Sequence, residues 1–367
     1  MTQPTSKQRD EKIPSTLWEV LESTCTTQQI RTLLQIAKAQ APDAVKVGGA
    51  TKAEVVKAVQ QLVADRRISE QQVADIIRDH EESGNQHIFF FSPANESERK
   101  RFSDGETIGK SILGDELGSM PSYRTVPKEY TWADFRFDEK HWTAKIYGHQ
   151  IRIKFERVEE KPHSVIRFYK KLERRVVCLA RWDGQHLQMR VSRIGAGAGS
   201  AVTNQRDESE VDRRLKKLWE LLKGEVAEKH VCAVDLRKPQ QKLLLALRKE
   251  QEKDVRPKDS KIPFRAVSAQ FRDSGSGIAE FHSHDEEEGL SSVNDRKQAI
   301  DIFLNSTDNP CRKVVLSWNP DSASGMWGEK WLRTVLGGRR ENELIIASGV
   351  NARTVDYVTN WIRKFGS

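Results

Sequence analysis

Apolar residues recur at helical spacing through the first quarter of the chain. Leu17, Val20 and Leu21 form one stripe, preceded by Pro14 and Ser15, a pair suited to opening a helix. Thr26 or Thr27 caps a second helix with Ile30, Leu33, Leu34 and Ala37 on one face. Pro42 and Gly48-Gly49 then break the chain. Thr51 and Glu54 form a T-x-x-E capping box ahead of Val55, Val56, Val59, Leu62 and Val63. Ser69 precedes a fourth stripe of Val73, Ile76 and Ile77. Residues 13–83 therefore predict four or five helices. The run Ile88-Phe89-Phe90-Phe91 extends this N-terminal all-α domain to 13–91 and reads either as a buried strand or as an anchor onto the next domain. Residues 1–12 are polar and read as a disordered leader. Residues 92–130, with Pro93, Pro121 and Pro127, read as a linker with short helices around 97–102 and 108–113.

From Thr131 the period shortens. Trp142–Tyr147 and Gln150–Phe155 alternate apolar and polar residues around Gly148-His149, which predicts a hairpin. Ser164–Lys171, Arg175–Trp182 and His186–Ile194 continue the pattern, with a tight turn at Asp183-Gly184. Helices are expected at 211–229 and 240–253 and a strand at 231–236. A sheet domain over 131–255 and a C-terminal α+β region over 256–367 result. The latter carries strands at 264–272, 278–281, 313–318 and 344–347, a helix at 295–304, and a closing helix with Val355, Val358, Ile362 and Phe365 on one face. The fold class is α+β: an N-terminal all-α domain, then a mainly antiparallel sheet domain with flanking helices.

Charge adds a functional lean. The 367 residues hold 61 Lys and Arg against 53 Asp and Glu, a net +8, which favours a polyanionic partner, double-stranded DNA first. No apolar run reaches about 18 residues, so no membrane-spanning helix is expected. The N-terminus lacks a secretory core, so an intracellular, soluble protein of the cytoplasm, nucleoid or nucleus is expected. Four scattered cysteines contain no C-x-x-C, which removes zinc-finger and thioredoxin spacing and leaves four reduced thiols.

Two basic groups suit phosphate contact. Lys46, Lys52, Lys57, Arg66 and Arg67 sit at a loop, a helix start and a helix end, where they can release counterions from a nucleic-acid backbone. The start of the third helix adds backbone N–H donors. Lys170, Lys171, Arg174 and Arg175, with Arg167, interleave with Phe168, Tyr169 and Trp182, a cation–aromatic mixture able to hold backbone and bases. A third basic stretch, Arg213, Arg214, Lys216 and Lys217, has acidic neighbours with which to pair. Gly195-Ala-Gly-Ala-Gly-Ser lacks the following Lys of a phosphate-binding loop and reads as a flexible loop over 195–209.

The sharpest local pattern is Phe281-His-Ser-His284 followed by Ser292 and Asp295. His282 and His284 alternate at a strand end, so both rings can reach one ion, and Asp295 at a helix start can complete the set. This H-S-H-x7-S-x2-D pattern resembles the signature of JAMM/MPN metalloproteases. The resemblance implies zinc on His282, His284 and Asp295, Ser292 assisting at the oxyanion, and peptidase chemistry. Asp285 stands where that family has proline, and no upstream strand supplies its general-base glutamate.

Two longer stretches resemble the centromere protein N family of kinetochore subunits: Lys52-Ala-Glu-Val-Val56 through Ile68-Ser-Glu70 and Asp75-Ile-Ile77, then Lys229-His230, Val234-Asp-Leu-Arg237 and Leu244-Leu245. The resemblance implies a death- or pyrin-like helical domain followed by an α+β domain, and a non-enzymatic DNA- or chromatin-contacting scaffold. The chain from about Phe264 departs from that family. The leading expectation is a DNA-binding and scaffolding subunit without a cofactor. The alternatives are a zinc metalloprotease or inactive relative, and a protein-interaction module with a protein partner.

Overall fold

The computed structural model describes residues 8–10, 17–40, 51–114, 127–161, 164–193, 205–222, 224–252, 262–272, 278–283, 290, 303–304, 311–319, 331–337, 340–348 and 350–366. In chain order the elements are β1 (Gln8–Asp10), α1 (Leu17–Thr24), α2 (Thr27–Gln40), α3 (Lys52–Ala64), α4 (Glu70–Ser83), β2 (Gln86–Pro93), α5 (Glu96–Phe102) and α6 (Gly105–Leu113). Next come β3 (Thr131–Phe137), β4 (Trp142–Lys161), β5 (Ser164–Trp182), β6 (Leu187–Ser192), α7 (Gln205–Leu221), β7 (Val231–Ala233) and α8 (Arg237–Glu252). The chain closes with β8 (Phe264–Arg272), β9 (Ile278–His282), β10 (Cys311–Trp318), β11 (Leu332–Gly337), β12 (Glu343–Ile346) and α9 (Ala352–Gly366). The protein is α+β, with an N-terminal helical region and a large, mainly antiparallel sheet. No helix among the described residues is long and apolar enough to cross a membrane.

Two compact units divide the chain. Unit 1 comprises residues 1–78, 113–136 and 143–178; unit 2 comprises 79–112, 137–142 and 179–367. In unit 1, α1 to α4 bury Leu21, Ile30, Leu33, Val59 and Val73 in a common core. Each such side chain contributes about 1.5–3 kcal/mol. Three helices start with reciprocal side-chain to backbone bonds. Thr51 and Glu54 exchange bonds of 3.3 and 2.9 Å, Thr26 and Gln29 bonds of 3.3 and 2.8 Å, and Ser69 and Gln72 bonds of 3.2 and 2.8 Å. Each satisfies two N–H groups that the helix itself leaves open. Unit 1 also holds most of β3, β4 and β5, which are neighbours in that order, and β1, which pairs in parallel with Tyr169–Lys171 of β5 within the stretch expected to be a disordered leader.

Unit 2 is built on a sheet in the order β6-β2-β12-β11-β10-β8-β9, with β7 on the end of β2. The Ile88–Phe91 run is the strand β2, buried on both faces, which explains its unbroken apolar character. Ile88 and Phe90 join Leu344, Ile346, Leu336 and Trp318 in one core with α8 and α9. From α9, Val355, Val358 and Ile362 are buried there as the spacing predicted.

Four sequence expectations change. Gly148 is not a hairpin turn: β4 runs straight through it. A Cβ at Gly148 would lie 2.4 Å from the Tyr130 ring, so the glycine serves close packing rather than a reversal. The strands expected at 164–171 and 175–182 are one strand, β5. The helix expected to reach 229 ends at Leu221, and Gly224, with φ +81°, takes the backbone out of helical space. The strand expected to reach 236 stops at Ala233, because Asp235 accepts the Arg237 N–H at 2.9 Å and starts α8. The Asp183-Gly184 turn is present, with Gly184 at φ +85° and Asp183 accepting the His186 N–H at 2.9 Å. The strand β11 has no counterpart among the sequence expectations.

Gly148→Ala should destabilise unit 1 by about 1–3 kcal/mol through overpacking. Pairing it with Tyr130→Ser should recover most of that loss. Chemical denaturation of the two single variants and the double variant measures the coupling, and strictly additive losses would contradict the packing role of Gly148.

Candidate nucleic-acid interface

The two units differ in charge. Unit 1 holds 24 of the 61 Lys and Arg and 17 of the 53 Asp and Glu, so +7 of the net +8 resides there. The span 142–182, which covers β4 and β5, alone carries eleven basic and four acidic residues. Unit 2 is close to neutral, and many of its cations are paired. Arg213 and Arg214 both bond Glu210, at 2.6 and 3.0 Å, and Lys217 bonds Glu220 at 2.6 Å. Arg237 meets Asp235 and Glu341 at 2.8 and 2.9 Å, and Arg340 meets Asp212 at 2.8 Å. The basic stretch at 213–217 thus pairs largely with the carboxylates of its own helix.

Every residue named as a nucleic-acid contact belongs to unit 1, with Lys46 outside the described residues. The structure separates them into distinct places. Lys52 opens α3 and is half-buried; burial pushes its ammonium below the usual lysine range, opposed by the nearby Cys25 and Glu22. The N–H donors expected to serve a phosphate at this helix start are partly used by the Thr51–Glu54 box, and the Glu54 carboxylate occupies the place an anion would take. Lys57 is exposed. Arg66 and Arg67 lie beyond the far end of α3, about 20 Å from Lys52 at 1.5 Å per residue. Lys57, Arg66 and Arg67 are exposed and make no ion pair with another described residue.

Arg66 also carries backbone strain. Arg67 N–H bonds Leu62 O at 2.8 Å and Arg66 N–H bonds Val63 O at 3.0 Å, the paired closure of a helix end that glycine usually provides. Arg66 fills the left-handed position at φ +57°. An arginine there costs about 1 kcal/mol relative to glycine.

Lys170, Lys171 and Arg174 lie on β5, where β1 pairs with the backbone of Lys170 and Lys171; their side chains are outside the described ones. Arg175 is half-buried with its guanidinium 4.3 Å from the centre of the Tyr147 ring, and Lys145 approaches the same ring at 5.2 Å. Arg157 lies 4.6 Å over Phe168. Stacking of this kind fixes the plane of a guanidinium. Arg157 was not among the residues expected from sequence to contact nucleic acid. The signal that points to it is the charge count over 142–182, which emerges once β4 and β5 are recognised as two long strands.

The histidine pattern lies in unit 2. His282 is exposed at the end of β9, with Nε2 3.2 Å from Glu280 Oε1. His284, Ser292 and Asp295 are outside the described residues. Among the described residues no group of three or more His, Cys, Asp or Glu is placed to hold a metal ion. Cys25, Cys178 and Cys311 are buried and Cys232 is exposed, all four free. Burial pushes the Cys311 thiol up to about 12, which keeps it protonated and unreactive.

Arg66→Gly should raise stability by about 0.5–1 kcal/mol by relieving the left-handed backbone, whereas Arg66→Ala removes the charge and keeps the strain. Equilibrium denaturation of both variants separates strain from charge; equal effects would contradict the backbone argument. No protein-family model matches the chain, and no curated protein sequence is significantly similar to it.

Proposed function

We propose that the protein is a non-enzymatic nucleic-acid-binding subunit that contacts the phosphate backbone of double-stranded DNA through unit 1. The principal element is the β4–β5 ribbon. Lys57, Arg66 and Arg67 of the helical region supply a second set of contacts. The observation that carries this reading is the segregation of charge: +7 of +8 in unit 1, most of it on two strands, against a unit 2 close to neutrality. An excess spread evenly over a folded protein gives solubility; an excess concentrated on one element gives a local field that draws a polyanion. Aromatic rings lie under Arg157 and Arg175 within the same span, the cation–aromatic mixture that nucleic-acid-binding surfaces use. Unit 2, with its paired cations and large apolar core, supplies the scaffold.

Fluorescence anisotropy with a labelled duplex over a range of salt concentrations tests the reading. Affinity should fall steeply with salt, with a log–log slope of about −0.9 for each phosphate neutralised. The triple variant Lys170→Ala, Lys171→Ala, Arg174→Ala should bind at least about tenfold more weakly near 0.1 M salt, with a slope shallower by about two to three. Replacing the exposed Lys238 and Lys249 of unit 2 with alanine should change neither quantity. Absence of binding at low salt, or an unaltered slope in the triple variant, would refute the proposal.

A further inference from the structure

His230 closes a junction of three segments in unit 2. It ends the short helical turn Glu228–His230 that leads into β7. Its backbone N–H bonds Ala227 O at 2.9 Å, and its carbonyl accepts the Ala94 N–H at 2.9 Å, which ties the turn to the end of β2. Its side chain carries the third link. Nδ1 lies 2.7 Å from Arg101 Nη2 of α5 and 3.2 Å from the Ala227 backbone nitrogen. Both partners are N–H donors with nothing to accept, so Nδ1 is the unprotonated nitrogen and Nε2 carries the hydrogen. One imidazole nitrogen thus accepts from two segments at once, and it does so only while the ring is neutral. The stretch 227–233 runs between two buried anchors, Val226 and Leu236, and has no fully buried residue of its own. Its remaining hold is the pairing of three-residue β7 with Phe91–Pro93 of β2. Segments with so little burial open at low cost in free energy.

We infer that the Arg101–His230 contact is an acid-released latch: protonation of His230 Nδ1 detaches residues 227–233 from α5 and loosens β7 on the end of β2. The charges around the ring set the direction. Burial first, then the Arg101 cation and more weakly Lys229, push His230 below the ordinary histidine range, while Glu98 of α5 and Glu225 ahead of the turn oppose them. Around the ring, α5 also carries Glu96, Arg99 and Lys100, the turn carries Glu228 and β7 carries Cys232, whereas Phe91–Pro93 of β2 brings no ionisable group. A contact that needs the neutral ring stabilises the junction above about pH 6.5, and its contribution is lost as the pH falls through that value towards the lower folded one. Once protonated, the ring turns an N–H towards Arg101 in place of a lone pair and sets a positive charge beside the guanidinium. Glu98 Oε2, 2.6 Å from Arg101 Nη2, keeps the arginine on α5. Buried Phe102, whose carbonyl accepts the Trp142 indole N–H at 2.8 Å, keeps α5 itself in place. The turn and β7 are therefore the parts released, and the β2 edge at Phe91–Pro93 loses its partner.

Amide hydrogen exchange of the full chain at about pH 7.5 and about pH 5, each rate divided by the intrinsic rate at that pH, tests the inference. Protection over 227–233 should fall at least about threefold at the lower pH, and protection in β10 should not fall with it. His230→Asn sets a carbonyl oxygen near the place of Nδ1, able to accept both N–H groups and unable to titrate. Protection over 227–233 should then be the same at both pH values. Side-chain nitrogen NMR of the wild-type protein gives a second readout that needs no variant: His230 should be the Nε2–H tautomer at neutral pH and titrate below about 6.5. Wild-type protection that ignores pH, an equal loss in His230→Asn, or a loss shared in full by β10 overturns the latch. An Nδ1–H tautomer, or titration above the ordinary histidine value, overturns it as well.

Discussion

Unit 2 depends on the pairing of β2. This strand takes its partners from far along the chain: β6 on one side, and β12 and β7 on the other. Its side chains divide between the two faces of the sheet, Ile88 and Phe90 to the core with α8 and α9, and His87 and Phe89 to the opposite face. Register is held by polar contacts. His87 Nδ1 and Glu343 Oε1 are 2.7 Å apart with both side chains buried, and the Asn342 amide donates to Phe90 O at 3.0 Å. A one-residue slip would send Glu343 to the other face and leave a buried carboxylate without its partner, a cost larger than most apolar rearrangements. A specific polar pair thus selects one arrangement among many that would bury similar apolar area.

The same sheet tolerates full burial of charge where hydrogen bonds are dense. Arg190 is fully buried; desolvation, reinforced by the nearby Arg181, lowers its guanidinium to about 9. Gln188 and the Glu82 carbonyl accept its N–H groups. Along α9, Asp79 accepts the Ala352 N–H at 2.7 Å, Arg181 meets Asp356 at 3.0 Å, and Asp183 bonds Arg363. The closing helix is therefore held at its start, middle and end by polar contacts as well as by its apolar stripe. Such internal neutralisation leaves unit 2 with little field of its own.

Unit 1 distributes its charge differently. Its helical core is compact and closed by capping boxes, and its long strands carry cations in excess of acids by a wide margin. Self-repulsion along a ribbon opposes folding, so cations kept at such density carry a stability cost that an anionic ligand would relieve. Arg66 bears a comparable local cost, a left-handed arginine where glycine would close the helix with less strain. Strained and repulsive features in the same unit as the charge excess are consistent with the proposed role as a binding surface.

Sequence alone determined what is local. The Thr51–Glu54 cap, the apolar stripes of α1 to α4 and α9 and the turn at Asp183-Gly184 are each encoded within a few residues, and the α+β class is set by their order, whereas Ile88–Phe91 suited a strand or an anchor until its pairing in the sheet made it β2. The basic residues were legible one by one. Tertiary structure decided everything that depends on a distant partner. Gly148 is ambiguous by itself, since a glycine suits a turn and a close approach equally; the ring of Tyr130, eighteen residues earlier, resolves it as the latter and lets β4 continue. That continuity, with the merging of two expected strands into β5, places the scattered cations on one ribbon. It also shows that the charge of unit 2 is spent internally, because ion pairs such as Arg340–Asp212 join residues far apart in sequence. Local chemistry named the charges, and long-range packing decided which strands carry them and which of them pair within the described residues.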